Sequence, residues 1–200
     1  FPLGDKWILT VSPIGMEAEG LEFHPGNNCI VLTGTYDPKT MKFERETARS
    51  LDYGLDFYAP QTFETEDGRR IEIGWMGMAD VDAFYTNRTV EDGWQHVLTL
   101  PRELSVKDGM LCQSPIRELD AYWTAEQSFE NDFAGMMGKA FEIELSDGNK
   151  LEENVKITLA EYLWLTWNSK EQIFRMEFKD KLLGSGRTMR GRKMTRLTDM

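Results

Sequence analysis

Along the first 118 residues, apolar and polar positions alternate in short runs broken by glycine, proline and aspartate, and no stretch before Ile116 keeps a helical period. Lys6-Trp7-Ile8-Leu9-Thr10-Val11-Ser12 predicts a strand that Pro13 and Gly15 end. His24 to Asn28 predicts a turn, and Cys29 to Tyr36 a second strand rich in β-branched residues. Asp37-Pro38-Lys39-Thr40 turns the chain, and Met41 to Glu44 predicts a short return strand. Between Leu51 and Trp75, the runs Phe57–Phe63 and Arg70–Trp75 flank a polar turn. Its Asp67-Gly68 pair is a hairpin signal, so the two runs are expected to pair as neighbours. Val97 to Leu100, Glu103 to Lys107 and Met110 to Ser114 predict further short strands, the last two joined at Asp108-Gly109. Short strands at this spacing predict an all-β sandwich, barrel or propeller.

The pattern changes near Leu119. Ala121 to Lys139 mixes acids, aromatics and Gly135-Met136-Met137-Gly138, and reads as a linker with at most a helical turn. Beyond it, Ala140–Leu145, Val155–Leu159, Tyr162–Trp167 and Ile173–Phe178 alternate again, which predicts an antiparallel sheet with one face buried.

Composition narrows the function classes. Two hundred residues make one large domain or two small ones, and a 40% hydrophobic share with 12% aromatics allows a real core. Mean hydropathy is −0.48, and no apolar run approaches the ~18 residues of a membrane helix. The net charge of −11 and sequence pI near 4.7 argue against nucleic acid and anionic membranes as partners, since both need a basic footprint. One basic stretch, with Arg187, Arg190, Arg192, Lys193 and Arg196, runs against that trend and reads as a solvated turn and strand face. Cys29 and Cys112 sit singly in apolar runs and read as buried thiols, and with His24 and His96 the only histidines, no metal centre and no cofactor is expected. His96, in its strand-like run, reads as a structural histidine.

The candidate chemistry lies between Leu51 and Trp75. Asp52, Tyr53, Asp56, Phe57 and Tyr58 put carboxylates among aromatic rings, a combination that suits a sugar: acids accept hydroxyl hydrogen bonds and ring faces stack on C–H faces. The same residues also read as a capped turn, a strand end and sheet core, and spacing alone does not choose between the two.

That stretch resembles a block of glycoside hydrolase family 32, D-x-G-x-D-F-Y-A-x-Q-x-F…G-R-R-I…G-W. Here it stands as Asp52, Gly54, Asp56-Phe57-Tyr58-Ala59, Gln61, Phe63, then Gly68-Arg69-Arg70-Ile71 and Gly74-Trp75. A second block is similar to the family's G-W…L-P-R-E-L…L…Q-x-P…E-L run: Gly93-Trp94, Leu100-Pro101-Arg102-Glu103-Leu104, Leu111, Gln113, Pro115 and Glu118-Leu119. The resemblance covers Phe1 to Leu119 well and the remainder loosely. It implies a five-bladed β-propeller followed by a β-sandwich. On that mapping, residues 1–118 are the last part of the propeller, and residues 119–200 are the linker and first strands of the sandwich, so the chain is expected to be a fragment whose partner is the missing N-terminal half of the propeller.

The family resemblance further implies hydrolysis of β-fructofuranosides, such as sucrose, sucrose 6-phosphate or short fructans, by a retaining mechanism with two carboxylates. The family carries those acids in W-M-N-D-P-N-G, R-D-P and E-C-P-D motifs, none of which occurs here, so no catalytic residue is expected in this chain. What the resemblance implies instead is pocket wall. Tyr58 matches a tyrosine facing the active-site funnel, Asp56 and Asp52 position it or accept sugar hydroxyls, and Trp75 with Met78 lines the rim. Arg102 and Glu103 are expected to tie blades together. Trp75-Met76-Gly77-Met78-Ala79-Asp80 lacks the aromatic residue that many relatives carry after the G-W pair and more closely resembles the G-W-M-G-L-P-D pattern of bacterial sucrose-6-phosphate hydrolases, which implies a cytoplasmic bacterial enzyme. A non-catalytic carbohydrate-binding β-protein is the alternative.

Overall fold

The computed structural model describes residues 1–23, 26–54, 57–77, 88–129, 134–135, 138, 140–144, 153–161, 163–178 and 194–197. Its strands form three four-stranded antiparallel sheets, each a meander in chain order. The first holds β1 (Pro2–Leu3), β2 (Lys6–Val11), β3 (Ile30–Asp37) and β4 (Lys42–Ser50). The second holds β5 (Tyr58–Glu64), β6 (Arg70–Trp75), β7 (Arg102–Lys107) and β8 (Met110–Pro115), and the third β9 (Val155–Leu159), β10 (Leu163–Asn168), β11 (Ile173–Phe178) and β12 (Met194–Leu197). The protein is all-β, as expected; its helical turns among the described residues are 3-10, at Arg88–Asp92 and Arg117–Tyr122. None is long and apolar enough to cross a membrane.

The turns explain why the meanders close where they do. Asp108 (φ 52°) and Gly109 (φ 75°) both take left-handed backbone, the two-residue turn that matches the twist of β7 and β8. Between β5 and β6, the Gly68 N–H donates to the Thr65 carbonyl, while the Asp67 carboxylate accepts from Thr65 Oγ1 and Arg69 Nε. In β3, the register shifts between Thr33 and Gly34, and a Cβ on Gly34 would sit 2.0 Å from the Glu44 carbonyl oxygen. Only glycine permits that approach of β4.

The main core lies in the seam between the first and second sheets. Ile8, Cys29, Val31, Leu51 and Phe57 are buried there, and Phe1, Leu3, Tyr58, Val106 and Leu111 pack against them. In the third sheet the register puts Val155, Ile157, Leu163, Leu165, Trp167, Phe174 and Met176 on one face. Lys156 lies 4.6 Å over the Trp164 ring on the other, so the sheet has the expected apolar and polar faces.

Several expectations are corrected. β4 runs nine residues to Ser50 instead of stopping at Glu44, because β3 supplies a long partner for a strand whose own sequence is mostly polar. Val97–Leu100 is no strand; it makes an isolated bridge from Leu98 to Trp75 and leaves its apolar side chains exposed. His96 therefore sits in an exposed loop with φ 67°. Residues 140–144 form no strand, and Leu145 lies outside the described residues. Cys29 is buried, but Cys112 is only half-buried. His24, Met78, Tyr162 and most of the basic stretch also lie outside the described residues; Thr195 and Arg196 belong to β12.

Candidate functional site

In an antiparallel meander, the start of one strand and the end of the next share one end of the sheet. In the second sheet that end carries Tyr58, where β5 begins, Trp75, where β6 ends, and Arg102, where β7 begins. Tyr58 pairs directly with Trp75, and the register then shifts before Gln61. The bulge includes Ala59 at φ 47°, and such bulges re-aim the side chains beside them. Tyr58 is half-buried, its body against the core cluster. Its hydroxyl has no hydrogen-bond partner among the described residues.

Trp75 is held from the side by the segment that follows. Its ring meets the His96 ring edge-on at 5.2 Å and 71°. The Met76 N–H donates to the Val97 carbonyl at 2.9 Å, and the Thr99 N–H donates to that of Gly74 at 2.8 Å. Thr99 Oγ1 in turn accepts from the Gly74 N–H. Gly77 passes beneath the indole, where a Cβ would lie 2.1 Å from the ring.

Asp52 is placed differently from a ligand-facing acid. Its Oδ2 accepts from Arg102 Nη1 at 2.7 Å and its Oδ1 from the Gly54 N–H at 2.5 Å. Arg102 Nη1 also donates to Gln113 Oε1, and Gln113 Nε2 donates to the Leu51 carbonyl at 2.6 Å. The Arg102 guanidinium lies 4.9 Å over the Phe57 ring. Asp52 therefore clamps the loop after β4 to the start of β7, and Arg102 ties the two sheets together as expected. Glu103, expected to tie blades together as well, instead pairs with Arg69 of the β5–β6 turn and with Arg117 just after β8, so its ion pairs stay within the second sheet and its flank. A second clamp lies next to it: Glu22 accepts from the Tyr53 hydroxyl and from the Ser50 N–H.

The structure thus brings Tyr58 and Trp75 together, with Asp52 behind them in an internal ion pair. Asp56 lies outside the described residues. Sequence reasoning passed over Glu72. It stands in β6 opposite Thr62 of β5 and Arg102 of β7, fully buried, with neither carboxyl oxygen hydrogen-bonded among the described residues. Burial pushes its carboxyl up to about 7; the Arg102 guanidinium pulls the other way and the Asp52 charge adds to the rise. The Ile71-Glu72-Ile73 alternation hid it, because a polar residue between two isoleucines reads as solvent-facing. It is buried because β6 has covered faces on both sides: Ile71 is buried on one, and Gly74 shares the other with Glu72, packed under Phe57.

These acids do not make a retaining pair at this end of the sheet. Asp52 is held by Arg102, and Glu72 is sealed in the seam. Among the described residues no cluster of histidine, cysteine or acidic side chains is arranged to hold a metal ion.

Comparison with known proteins follows the same lines. The model of the glycosyl hydrolases family 32 N-terminal domain matches residues 2–115. The chain is 34% identical over 183 residues to a sucrose-6-phosphate hydrolase of Staphylococcus xylosus, covering 86% of this chain and 36% of that protein. It is 40% identical over 121 residues to a raffinose invertase of Escherichia coli, covering 60% of this chain and 25% of that protein. The chain therefore spans well under half the length of either relative. A solved Bombyx mori family 32 β-fructofuranosidase superposes over 99% of this chain and 41% of its own, with a TM-score of 0.65 at 20% identity. A mutant of that protein in complex with sucrose gives 0.67 at 21%. At that identity the likeness speaks for the fold.

Proposed function

Because the chain belongs to glycosyl hydrolase family 32, we propose that it forms part of a glycoside hydrolase that cleaves β-fructofuranosides, sucrose and its 6-phosphate first, by a retaining mechanism with two carboxylates. The acids that act on the glycosidic bond belong to the motifs absent from this sequence, and this chain supplies wall. The observation that carries the reading is the folded block itself. Within that block, Tyr58 through Trp75 forms the first hairpin of the second sheet and sets an aromatic pair, Tyr58 and Trp75, at one end of it. Tyr58 and Trp75 would meet the sugar, Asp56 would join them, and Asp52 would position the loop that precedes Tyr58.

The relatives' names support sucrose-type substrates. The division of labour along the chain is read near residue 118, with the glycosidase part before it and the sandwich after it. A further part of the propeller is read as covering the exposed apolar run of Val97, Leu98 and Leu100 beside Trp75, since such runs mark contact surfaces. A cytoplasmic setting is part of the same proposal.

The test is complementation. The chain is joined to the propeller segment that precedes the matched region in the Staphylococcus xylosus relative, and fructose release from sucrose and from sucrose 6-phosphate is measured. Hydrolysis by the joined protein is expected. A folded joined protein with no activity, while the relative's own two segments joined in the same way are active, would overturn the reading.

A further inference from the structure

The seam between the first two sheets carries one acid that the proposed chemistry does not use. Glu72 is fully buried on the β6 face that carries Gly74 under Phe57, and neither of its oxygens has a hydrogen-bond partner among the described residues. Its ladder partner across β7 is Arg102, whose guanidinium is already engaged by Asp52 and Gln113. The groups that face Glu72 come from each element around it. Arg102 is on β7, Asp52 follows β4, and the buried Cys29 thiol precedes β3, while Thr62 on β5 carries no charge. Cys29 is itself buried and pushed up by that burial, so it stays a neutral thiol beside the acid.

An ionised carboxylate in that position would be a buried charge with no hydrogen bond, a costly arrangement. It would also compete for the Arg102 guanidinium across the ladder. We propose that Glu72 is a positioning residue that holds a proton in the folded protein: neutral, it leaves Arg102 to Asp52 and so keeps the loop ahead of Tyr58 clamped; ionised, it draws Arg102 away from Asp52. The chain of contacts is short. Arg102 holds Asp52, Asp52 holds the Gly54 N–H, and Gln113 holds the Leu51 carbonyl. All of these fix the backbone that leads into Phe57 and Tyr58. The effect on substrate rests on the reading of Tyr58 as a sugar-facing residue; the proton on Glu72 does not.

Glu72 binds its proton more tightly folded than unfolded, so the stability it contributes is complete below the ordinary value of 4.5 and is lost as pH rises to about 7. The experiment compares the wild-type protein carrying this chain with Glu72→Gln, an uncharged isostere that cannot ionise. Between about pH 5 and about pH 8, the wild-type thermal midpoint should fall by several degrees relative to the variant. A protonated-carboxyl infrared band present at about pH 5.5 should be missing from the Glu72→Gln spectrum and should fade in the wild type towards about pH 8. In the complemented enzyme, KM for sucrose should rise severalfold over that range in the wild type and stay flat in Glu72→Gln.

Parallel stability profiles overturn the proposal, as does an infrared spectrum of the wild type with no such band, which needs no variant to fold. Divergent stability profiles with parallel KM profiles reduce Glu72 to a buried acid and overturn its positioning role. If the complemented enzyme hydrolyses no fructoside, while stability and infrared behave as expected and the Gly54 amide loses protection from hydrogen exchange, relative to its intrinsic rate, at high pH in the wild type only, the clamp stands and the substrate reading alone fails.

Discussion

Arg102 at the start of β7 reaches back to Asp52, with Nη1 2.7 Å from Oδ2, and so joins two sheets through residues fifty positions apart. The side chains are 25% and 16% exposed, which puts the pair between a surface bridge and a buried one. Asp52→Asn should cost about 2 kcal/mol of stability, since it weakens a charge-assisted bond and leaves the guanidinium with a poorer partner. Arg102→Lys should cost about as much, because an ammonium on a flexible stem cannot lie flat on Phe57 as the planar guanidinium does. Urea unfolding of each single variant and of the pair gives the measure. If the double variant loses the sum of the two singles, the residues are independent and the clamp is not one unit.

Gly74 allows a second, steric prediction. A Cβ there would lie 2.2 Å from Phe57 Cε2 and 2.7 Å from Cζ, and Phe57 is 5% exposed with nowhere to move. Gly74→Ala should destabilise by about 1–3 kcal/mol through overpacking. Gly68→Ala has open space, but it must adopt φ 82° and should cost about 1 kcal/mol from backbone strain alone. Pairing Gly74→Ala with Phe57→Leu separates the two causes. The smaller ring partner should restore part of the loss at Gly74 and none of the loss at Gly68.

How much of this was legible in the sequence depends on what each residue faces. The β5–β6 and β7–β8 hairpins were readable because Asp67-Gly68 and Asp108-Gly109 fix local backbone whatever the rest of the chain does. β4 was under-read because Lys42 to Ser50 carries charges throughout, and its pairing comes from β3. Val97 to Leu100 was over-read: its apolar residues serve an exposed surface beside Trp75, and hydrophobicity alone does not tell a surface from a strand. Asp52 was picked out as a candidate, but its partner Arg102 stands fifty residues on, and only the fold shows that the carboxylate is engaged. Glu72 was hidden in a matched block for the same reason, since burial on both faces of β6 is a property of the assembled sheets.

The acid side of the stability profile has a different source. Arg69 ties the β5–β6 turn to the segment after β8, with Nη2 2.5 Å from Glu118 Oε1 and Nε 2.8 Å from Asp67 Oδ2. The Arg69 hydrogen bond holds Glu118 below its ordinary value of 4.5, and bonds from Thr65 and then Arg69 hold Asp67 below 3.8. Carboxylates with lowered folded values add stability above their unfolded values and lose it as pH falls below them. The thermal midpoint should therefore drop below about pH 4.5, more steeply in the wild type than in Glu118→Gln, and the difference should shrink in high salt. Because Glu72 acts in the opposite sense above that pH, the Glu72→Gln variant should keep the full acid-side drop. Loss of that drop in Glu72→Gln would mean the two groups are coupled.

Activity gives the last prediction. The isolated chain should release no glucose from sucrose, because retaining hydrolysis needs two carboxyl groups about 5–5.5 Å apart across the bond. Asp52 is spent on Arg102 and Glu72 is sealed in the seam. In the complemented enzyme, Tyr58→Phe should lower kcat/KM by roughly two- to tenfold, the worth of one lost hydroxyl hydrogen bond. Its thermal midpoint should not change, because the ring that packs against the buried cluster is kept and the hydroxyl has no partner among the described residues to lose. The two readouts together decide the role of Tyr58. A drop in kcat/KM at constant stability places its hydroxyl on the sugar, whereas a drop in both assigns it to the core. Turnover by the purified 200-residue chain would instead mean that a nucleophile and an acid lie within it.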